Sequence, residues 1–135
     1  MPAIQRIVET CLYVEDLDRA DAFYCGLLGL ERALREEGRH LFLRAGDGML
    51  LLFLPEATGT GETLPAHGAR GPGHLALGIA AADLDAWRRR LESRGVAIEH
   101  EECWPRGGRS LYFRDPAGNS LELITPGVWG LPSGW

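Results

Sequence analysis

The 135-residue chain has only three cysteines, Cys11, Cys25 and Cys103. Their odd number and wide spacing argue against a disulfide framework or a thiolate zinc cluster and fit reduced thiols. No apolar run reaches the roughly 18 residues that a membrane-crossing helix needs, and no basic stretch leads into an apolar one at the start. A soluble, cytoplasmic protein with no membrane partner is expected. Basic charge is scarce too: 14 Lys+Arg against 19 Asp+Glu leave a net charge of −5. A nucleic-acid backbone demands a basic face, so nucleic acid is not an expected partner. The one basic cluster, Arg88-Arg89-Arg90, falls on a predicted helix and reads as its solvated face.

What the chain does have is a repetition. Residues 7–55 and 72–126 follow one plan: a strand, a DLD helix start, a Gly after the helix, then a hairpin closing on Pro. Asp16-Leu17-Asp18 matches Asp83-Leu84-Asp85, Gly29 matches Gly95, Arg44 matches Arg114, and Pro55 matches Pro126. Each half is too short to bury a good core alone, so the halves must pack together or against a second subunit. The expected organisation is one domain over 1–135. Module one covers 4–55, a linker 56–72, module two 73–126 and a tail 127–135. A homodimer is expected, with the two tail tryptophans buried in the core or against the partner.

Periodicity supplies the elements. Ile7–Val14 alternates and is rich in β-branched residues, which predicts a strand. Leu17, Ala20, Phe23/Tyr24 and Leu27/Leu28 recur at helical spacing behind a cap at Asp16 or Asp18. Further strands are predicted at 30–34, 40–44 and 49–54, the last two flanking the turn Ala45-Gly46-Asp47-Gly48. Residues 55–73, rich in Gly, Pro and Thr, read as a connection and a cover over a site. In module two, strands are predicted at 74–79, 96–100, 110–114 and 120–125. A helix over 82–94 has Asp83 as its cap and Leu84, Trp87 and Leu91 on its buried stripe.

Strand side chains alternate between faces. Glu9, Cys11 and Tyr13 therefore share one face. So do His74, Ala76 and Gly78, opposite the apolar Leu75, Leu77 and Ile79. If Arg114 pairs with Ser120, Tyr112 lies opposite Glu122, while Leu121 and Leu123 point toward the helices. Glu9, His74 and Glu122 are then three polar, metal-capable side chains with Tyr112 beside them. Carboxylate and imidazole suit a hard or borderline divalent cation, and three ligands with open positions is the pattern of a catalytic metal. The plainer alternatives are a solvent-facing strand glutamate and a structural histidine.

The opening V-E-T-C-L-Y-V-E-D-L-D-R-A-D-A-F-Y-C-G-L-L-G-L and the closing S-L-Y-F-R-D-P-A-G-N-S-L-E-L resemble the vicinal oxygen chelate superfamily over residues 4–126. That group includes glyoxalase I, bleomycin resistance proteins, extradiol dioxygenases and fosfomycin resistance proteins. The resemblance implies an α+β fold: two βαβββ modules forming a cup-shaped mixed sheet with helices on the outer face. It places metal ligands at Glu9, Leu51, His74 and Glu122. Leu51 cannot bind a metal, so the four-ligand pattern of glyoxalase I and of methylmalonyl-CoA epimerase is broken. The three-ligand pattern is similar to that of the dioxygenases and the fosfomycin proteins. Two carboxylates and a neutral imidazole formally cancel a 2+ ion, which makes it a weaker Lewis acid. Fe(II), Mn(II), Zn(II) or Ni(II) is expected.

Trp104 and Tyr112 match the fosfomycin pattern. Glu102 stands where that pattern has lysine, and Arg106 where it has serine. Arg106 and Arg109 are candidates to attract an anionic group on a substrate, Arg114 reads as an edge charge, and Trp104 as a pocket wall. Cys11 and Tyr13 share the Glu9 face as substrate contacts, Cys11 being expected as a buried inert thiol. His40 and His67 are candidate proton carriers; His67 in the loop reads as surface, and His40 either faces the cup or lies in solvent.

Two functions follow. The first is a metal-dependent enzyme on a small oxygen-chelating substrate, with Tyr112 as the catalytic hydrogen-bond donor. The alternative is a metal-free dimeric binding protein of the bleomycin-resistance type, sequestering a cationic or aromatic ligand.

Overall fold

The structure is a computed structural model, and it describes residues 1–61 and 63–135. It holds two compact units, Met1–Gly71 and Pro72–Trp135, one for each copy of the repeat.

In unit 1 the first strand, β1 (Glu9–Tyr13), begins two residues later than predicted, and Ile7 and Val8 are exposed without regular structure. Asp16 is the cap of α1 (Leu17–Asp21): its side chain accepts from the N–H groups of Asp18 and Arg19. The helix runs on as a π-helical turn over Ala22–Leu27, with the N–H of Leu28 reaching the carbonyl of Phe23. Strands β2 (Glu31–Glu36), β3 (His40–Ala45) and β4 (Gly48–Phe53) complete a sheet of order β1-β4-β3-β2, with β1 parallel to β4. Leu41, Leu43, Leu50 and Leu52 alternate onto one face and are fully buried, and the helix residues Leu17, Ala20, Phe23, Tyr24 and Leu27 are buried with them. Burying each such leucine contributes roughly 1.5–3 kcal/mol. The other face carries Glu9, Cys11, Tyr13, Leu51, Phe42, His40 and Phe53. The connection expected to be irregular contains a short helix, α2 (Pro55–Thr58).

Unit 2 repeats the plan. Strands β5 (His74–Gly78), β6 (His100–Cys103), β7 (Arg109–Arg114) and β8 (Ser120–Ile124) form a sheet of order β5-β8-β7-β6, again with the first strand parallel to the last. The helix α3 (Leu84–Ser93) follows a 3-10 turn at Ala81–Asp83. Asp83 precedes α3 but makes no side-chain capping bond, because the 3-10 turn supplies the entry instead. At the other end, the N–H groups of Gly95 (φ +72°) and Val96 reach the carbonyls of Glu92 and Leu91, a Schellman closure that needs glycine's left-handed freedom. That closure uses Val96, and the strand predicted at 96–100 forms instead as β6, four residues later.

The two registers match position by position. Cys11 pairs with Leu51 as Ala76 pairs with Glu122, and Phe42 lies opposite Leu51 as Tyr112 lies opposite Glu122. Glu9 is thus the structural counterpart of His74, Leu51 of Glu122, and His40 of Ser110. The tail differs from expectation: Trp129 is largely exposed, while the Trp135 ring stands against β5, where a Cβ on Gly78 would approach it to 2.4 Å. Among the described residues no helix is long and apolar enough to cross a membrane.

Candidate functional site

The turn between β7 and β8 sets the position of His74. Asp115 accepts from the N–H groups of Ala117 and Asn119 and from the Asn119 amide, so the D-P-A-G-N loop closes on itself. Asn119 Oδ1 then accepts the N–H of Gly73 at 2.8 Å, and the Ser120 N–H returns a bond to the Gly73 carbonyl. The entry of β5 is therefore pinned beside β8, one residue before His74.

His74 Nδ1 lies 3.0 Å from the Ser120 carbonyl oxygen. A carbonyl only accepts, so Nδ1 carries the proton and, in the neutral ring, Nε2 presents its lone pair. That Nε2 is 3.4 Å from Glu122 Oε2. Glu122 is buried, and its other oxygen, Oε1, accepts from the Ser110 hydroxyl. Ser110 is held in turn by Trp104, whose Nε1 donates to its Oγ at 2.8 Å. Indole nitrogen can only donate, which leaves the serine hydrogen for Glu122. The chain Trp104–Ser110–Glu122 thus turns Oε2 toward His74.

This pair fits a divalent cation. At 3.4 Å, Nε2 and Oε2 stand beyond a normal hydrogen bond, and with a neutral ring two lone pairs face each other. That spacing would let both atoms hold one cation. The second ring nitrogen is already committed to a carbonyl, the usual orientation of a ligating histidine. Among the described residues of unit 2, no third His, Cys, Asp or Glu joins the pair.

Tyr112 stacks beside His74, with ring centroids 6.3 Å apart and planes 20° from parallel. Burial, then its hydrogen bond to Glu122, raises its phenol above the ordinary value, so it keeps its proton and remains a donor. On its other side lies His100, 5.9 Å away, which meets Glu102 at 3.0 Å. That hydrogen bond holds the Glu102 carboxyl below its usual range. Neither Ser110 nor His100 is among the residues singled out from sequence. The signal for Ser110 was its place two residues before Tyr112, hence on the Glu122 face.

The remaining candidates are scattered. Arg109 lies on the opposite face of β7 from Tyr112, 3.6 Å from Glu101. Arg106 lies against the tail, its guanidinium 2.7 Å from where a Cβ on Gly130 would be. Arg114 pairs with Glu99 at 3.0 Å. In unit 1, Glu9 is the exposed first residue of β1. Cys11 is exposed rather than buried, and its thiol lies 3.9 Å from the Tyr13 hydroxyl. Tyr13 meets His67 Nδ1 at 2.7 Å, and burial raises its phenol. His40 is buried, not solvent-exposed. Cys25 is pushed up to about 11, chiefly by burial and then by Asp21, which keeps it an unreactive thiol.

The family model for the Glyoxalase/Bleomycin resistance protein/Dioxygenase superfamily matches residues 6–123. The chain belongs to this superfamily. A solved structure described as lactoylglutathione lyase from Agrobacterium tumefaciens is 40% identical and covers 96% of this chain and 100% of its own, with a TM-score of 0.91. Glutathione transferase FosA of Serratia marcescens is 32% identical over 123 residues, 89% of this chain and 80% of its own. Catechol-2,3-dioxygenase of Bacillus subtilis is 32% identical over 120 residues, 83% of this chain. The chain spans only 38% of that dioxygenase's length. These superfamily relatives carry three different reactions, so membership fixes the scaffold and leaves the chemistry to the side chains.

Proposed function

We propose that the chain is a divalent-metal-dependent enzyme, with Glu9, His74 and Glu122 as ligands, acting on a small substrate that chelates the ion through two oxygens. The observation that carries this reading is the oriented pair in unit 2: His74 with Nδ1 tied to a carbonyl, and buried Glu122 held by Ser110. Glu9 enters as the counterpart of His74 on the first strand of the other repeat. Fe(II), Mn(II), Zn(II) or Ni(II) suits the donor set. The ion, when bound, would act as a Lewis acid toward the substrate oxygens.

The other roles belong to the chain itself. Tyr112, kept protonated, would turn its one hydroxyl hydrogen from Glu122 to the substrate oxygen that gains negative charge. Trp104 walls the site, and Arg106, Cys11 and Tyr13 are further substrate contacts; Arg109, committed to Glu101 across the sheet, is left out. All 14 basic side chains are arginine, so no lysine can form a Schiff base with the substrate. The likeness to a lactoylglutathione lyase makes lactoylglutathione the first compound to assay. Leu51, apolar where the four-ligand pattern needs a donor, counts against that activity and leaves dioxygenation, isomerisation, a different lyase reaction or thiol transfer open. The two units would act as one domain, and the active form would be a homodimer; a monomer by light scattering at micromolar concentration contradicts the latter.

Metal analysis of dialysed protein tests the reading. One ion per chain in the parent protein, lost in both His74→Ala and Glu122→Gln, is expected. No metal, together with no thermal shift on adding any of the four ions, overturns it. That outcome would favour the second reading, a metal-free small-molecule binding protein, which Leu51 and an aromatic-lined cavity in unit 1 support.

A further inference from the structure

The face of unit 2 that carries His74 and Glu122 also carries an indole from the tail. Side chains alternate along β5, so a side chain at Gly78 would share the face of His74 and Ala76. The Trp135 ring lies where that side chain would be: a Cβ on Gly78 would stand 2.4 Å from Cη2, 2.7 Å from Cζ3 and 2.8 Å from Cζ2. Three nearly equal distances put the face of the ring, not its edge, over the strand. The ring therefore lies along the sheet and turns its edge toward the neighbouring residues.

The tail is shaped to hold it there. The N–H of Gly127 reaches the carbonyl of Gly134 at 2.7 Å, and the N–H of Leu131 reaches the carbonyl of Trp135 at 2.7 Å, so residues 127–135 close into a loop. The loop also comes down on the turn between β6 and β7, where a Cβ on Gly108 would meet Val128 Cγ2 at 2.3 Å. Both landing points are glycine, as close approach to a backbone requires.

The registers place the ring relative to the metal-capable pair. Glu122 pairs with Ala76 on one side and Tyr112 on the other; in the next row, Ile124 pairs with Gly78 and Ser110. Trp135 thus stands one row past Glu122, two residues or about 7 Å along the strands. On the other side of Ile124, Trp104 is bonded to Ser110. Two indoles with buried Ile124 between them give this end of the site an apolar boundary.

From this geometry we infer that Trp135 is a specificity-determining residue, which limits the length of the apolar group that a substrate chelated at His74 and Glu122 can extend along β5. The inference rests on the metal reading of that pair. Ala76 contributes only a methyl group, so the floor is open up to the ring. Subtracting the roughly 3.5–4 Å of carbon–carbon contact from about 7 Å leaves room for a group of roughly two or three carbons.

The test uses the full chain loaded with Zn(II), its metal content measured first, and hydroxamic acids, which chelate through two oxygens and differ only in their alkyl chain. Acetohydroxamate should bind at least tenfold tighter than octanohydroxamate by calorimetry. Trp135→Ala should raise the ratio of octano- to acetohydroxamate affinity at least tenfold, and Trp135→Phe should raise it by a smaller factor. Trp129→Ala, which removes the exposed tail indole, should leave the ratio within twofold. A tail that only stabilised the fold would move both affinities together. An unchanged ratio in whichever Trp135 variant folds, an equal change in Trp129→Ala, or equal binding of both acids by the parent protein overturns the inference. A parent protein that holds no Zn(II) overturns the metal reading and this inference with it, and the metal content tells the two failures apart.

Discussion

His74 Nδ1 lies 3.0 Å from the carbonyl oxygen of Ser120, and that contact leaves Nε2 as the nitrogen available to a ligand. The contact exists because Asn119 ties Gly73 to the β7–β8 turn, bringing β5 into register with β8. Orientation of the candidate ligand is therefore a property of the D-P-A-G-N turn as much as of the histidine.

Replacing Asn119 by Ala should cost about 1–3 kcal/mol, since it removes bonds to Asp115 and leaves the Gly73 N–H without its acceptor. Urea unfolding measures this through the midpoint at unchanged slope. A change within experimental error would show that the turn does not hold the strand.

Ser110→Ala should weaken metal binding roughly 10–100-fold while leaving all three proposed ligands in place, because Glu122 Oε1 loses its donor. Trp104→Phe, which removes the indole N–H from Ser110, should act in the same direction and more weakly. Competition with a chromophoric chelator reports both; unchanged affinity in Ser110→Ala would separate the chain from metal binding.

His40 carries a pH signature. Its folded-state pKa is lowered, so below about 6.5 the unfolded chain binds a proton that the folded chain resists. Its contribution is neutral above that pH, and stability is lost as pH falls from about 6.5 toward the lowered value. Glu36 opposes this effect and Arg39 adds to it. His40→Phe should flatten the difference between unfolding free energies at pH 7.5 and pH 5.5. Identical pH dependence in both proteins would place the histidine in contact with water.

Gly78→Ala should displace the Trp135 ring, which stands where the new Cβ must go. A red-shifted tryptophan emission, absent when the same change is made in a Trp135→Phe background, is the expected result. No shift would mean that the tail does not lie on β5.

Much of this was legible in the sequence for definite reasons. The D-P-A-G-N turn fixed the pairing of Arg114 with Ser120, and so placed Tyr112 opposite Glu122, because a strand slip of one residue would have turned Leu121 and Leu123 outward. The repeat placed Glu9 with His74 and Leu51 with Glu122, equivalences that the two registers reproduce. Strand β6 leaves no mark in the sequence because His-Glu-Glu-Cys lacks apolar alternation, whereas Val96, a β-branched residue suited to open a strand, serves the helix closure. The burial of His40 depends on how residues 55–61 and 63–67 fold back, which no local pattern encodes. The indole-to-serine link of Trp104 spans a hairpin and depends on rotamers rather than on spacing.

The most direct test of the central claim is the 15N NMR spectrum of the His74 ring, recorded with and without Zn(II). The proton should stay on Nδ1 throughout, held by Ser120, and one equivalent of Zn(II) should shift Nε2 in the parent protein but not in Glu122→Gln. An unchanged Nε2 resonance with excess Zn(II), or a proton on Nε2 in the neutral ring, would contradict a metal site built on His74 and Glu122.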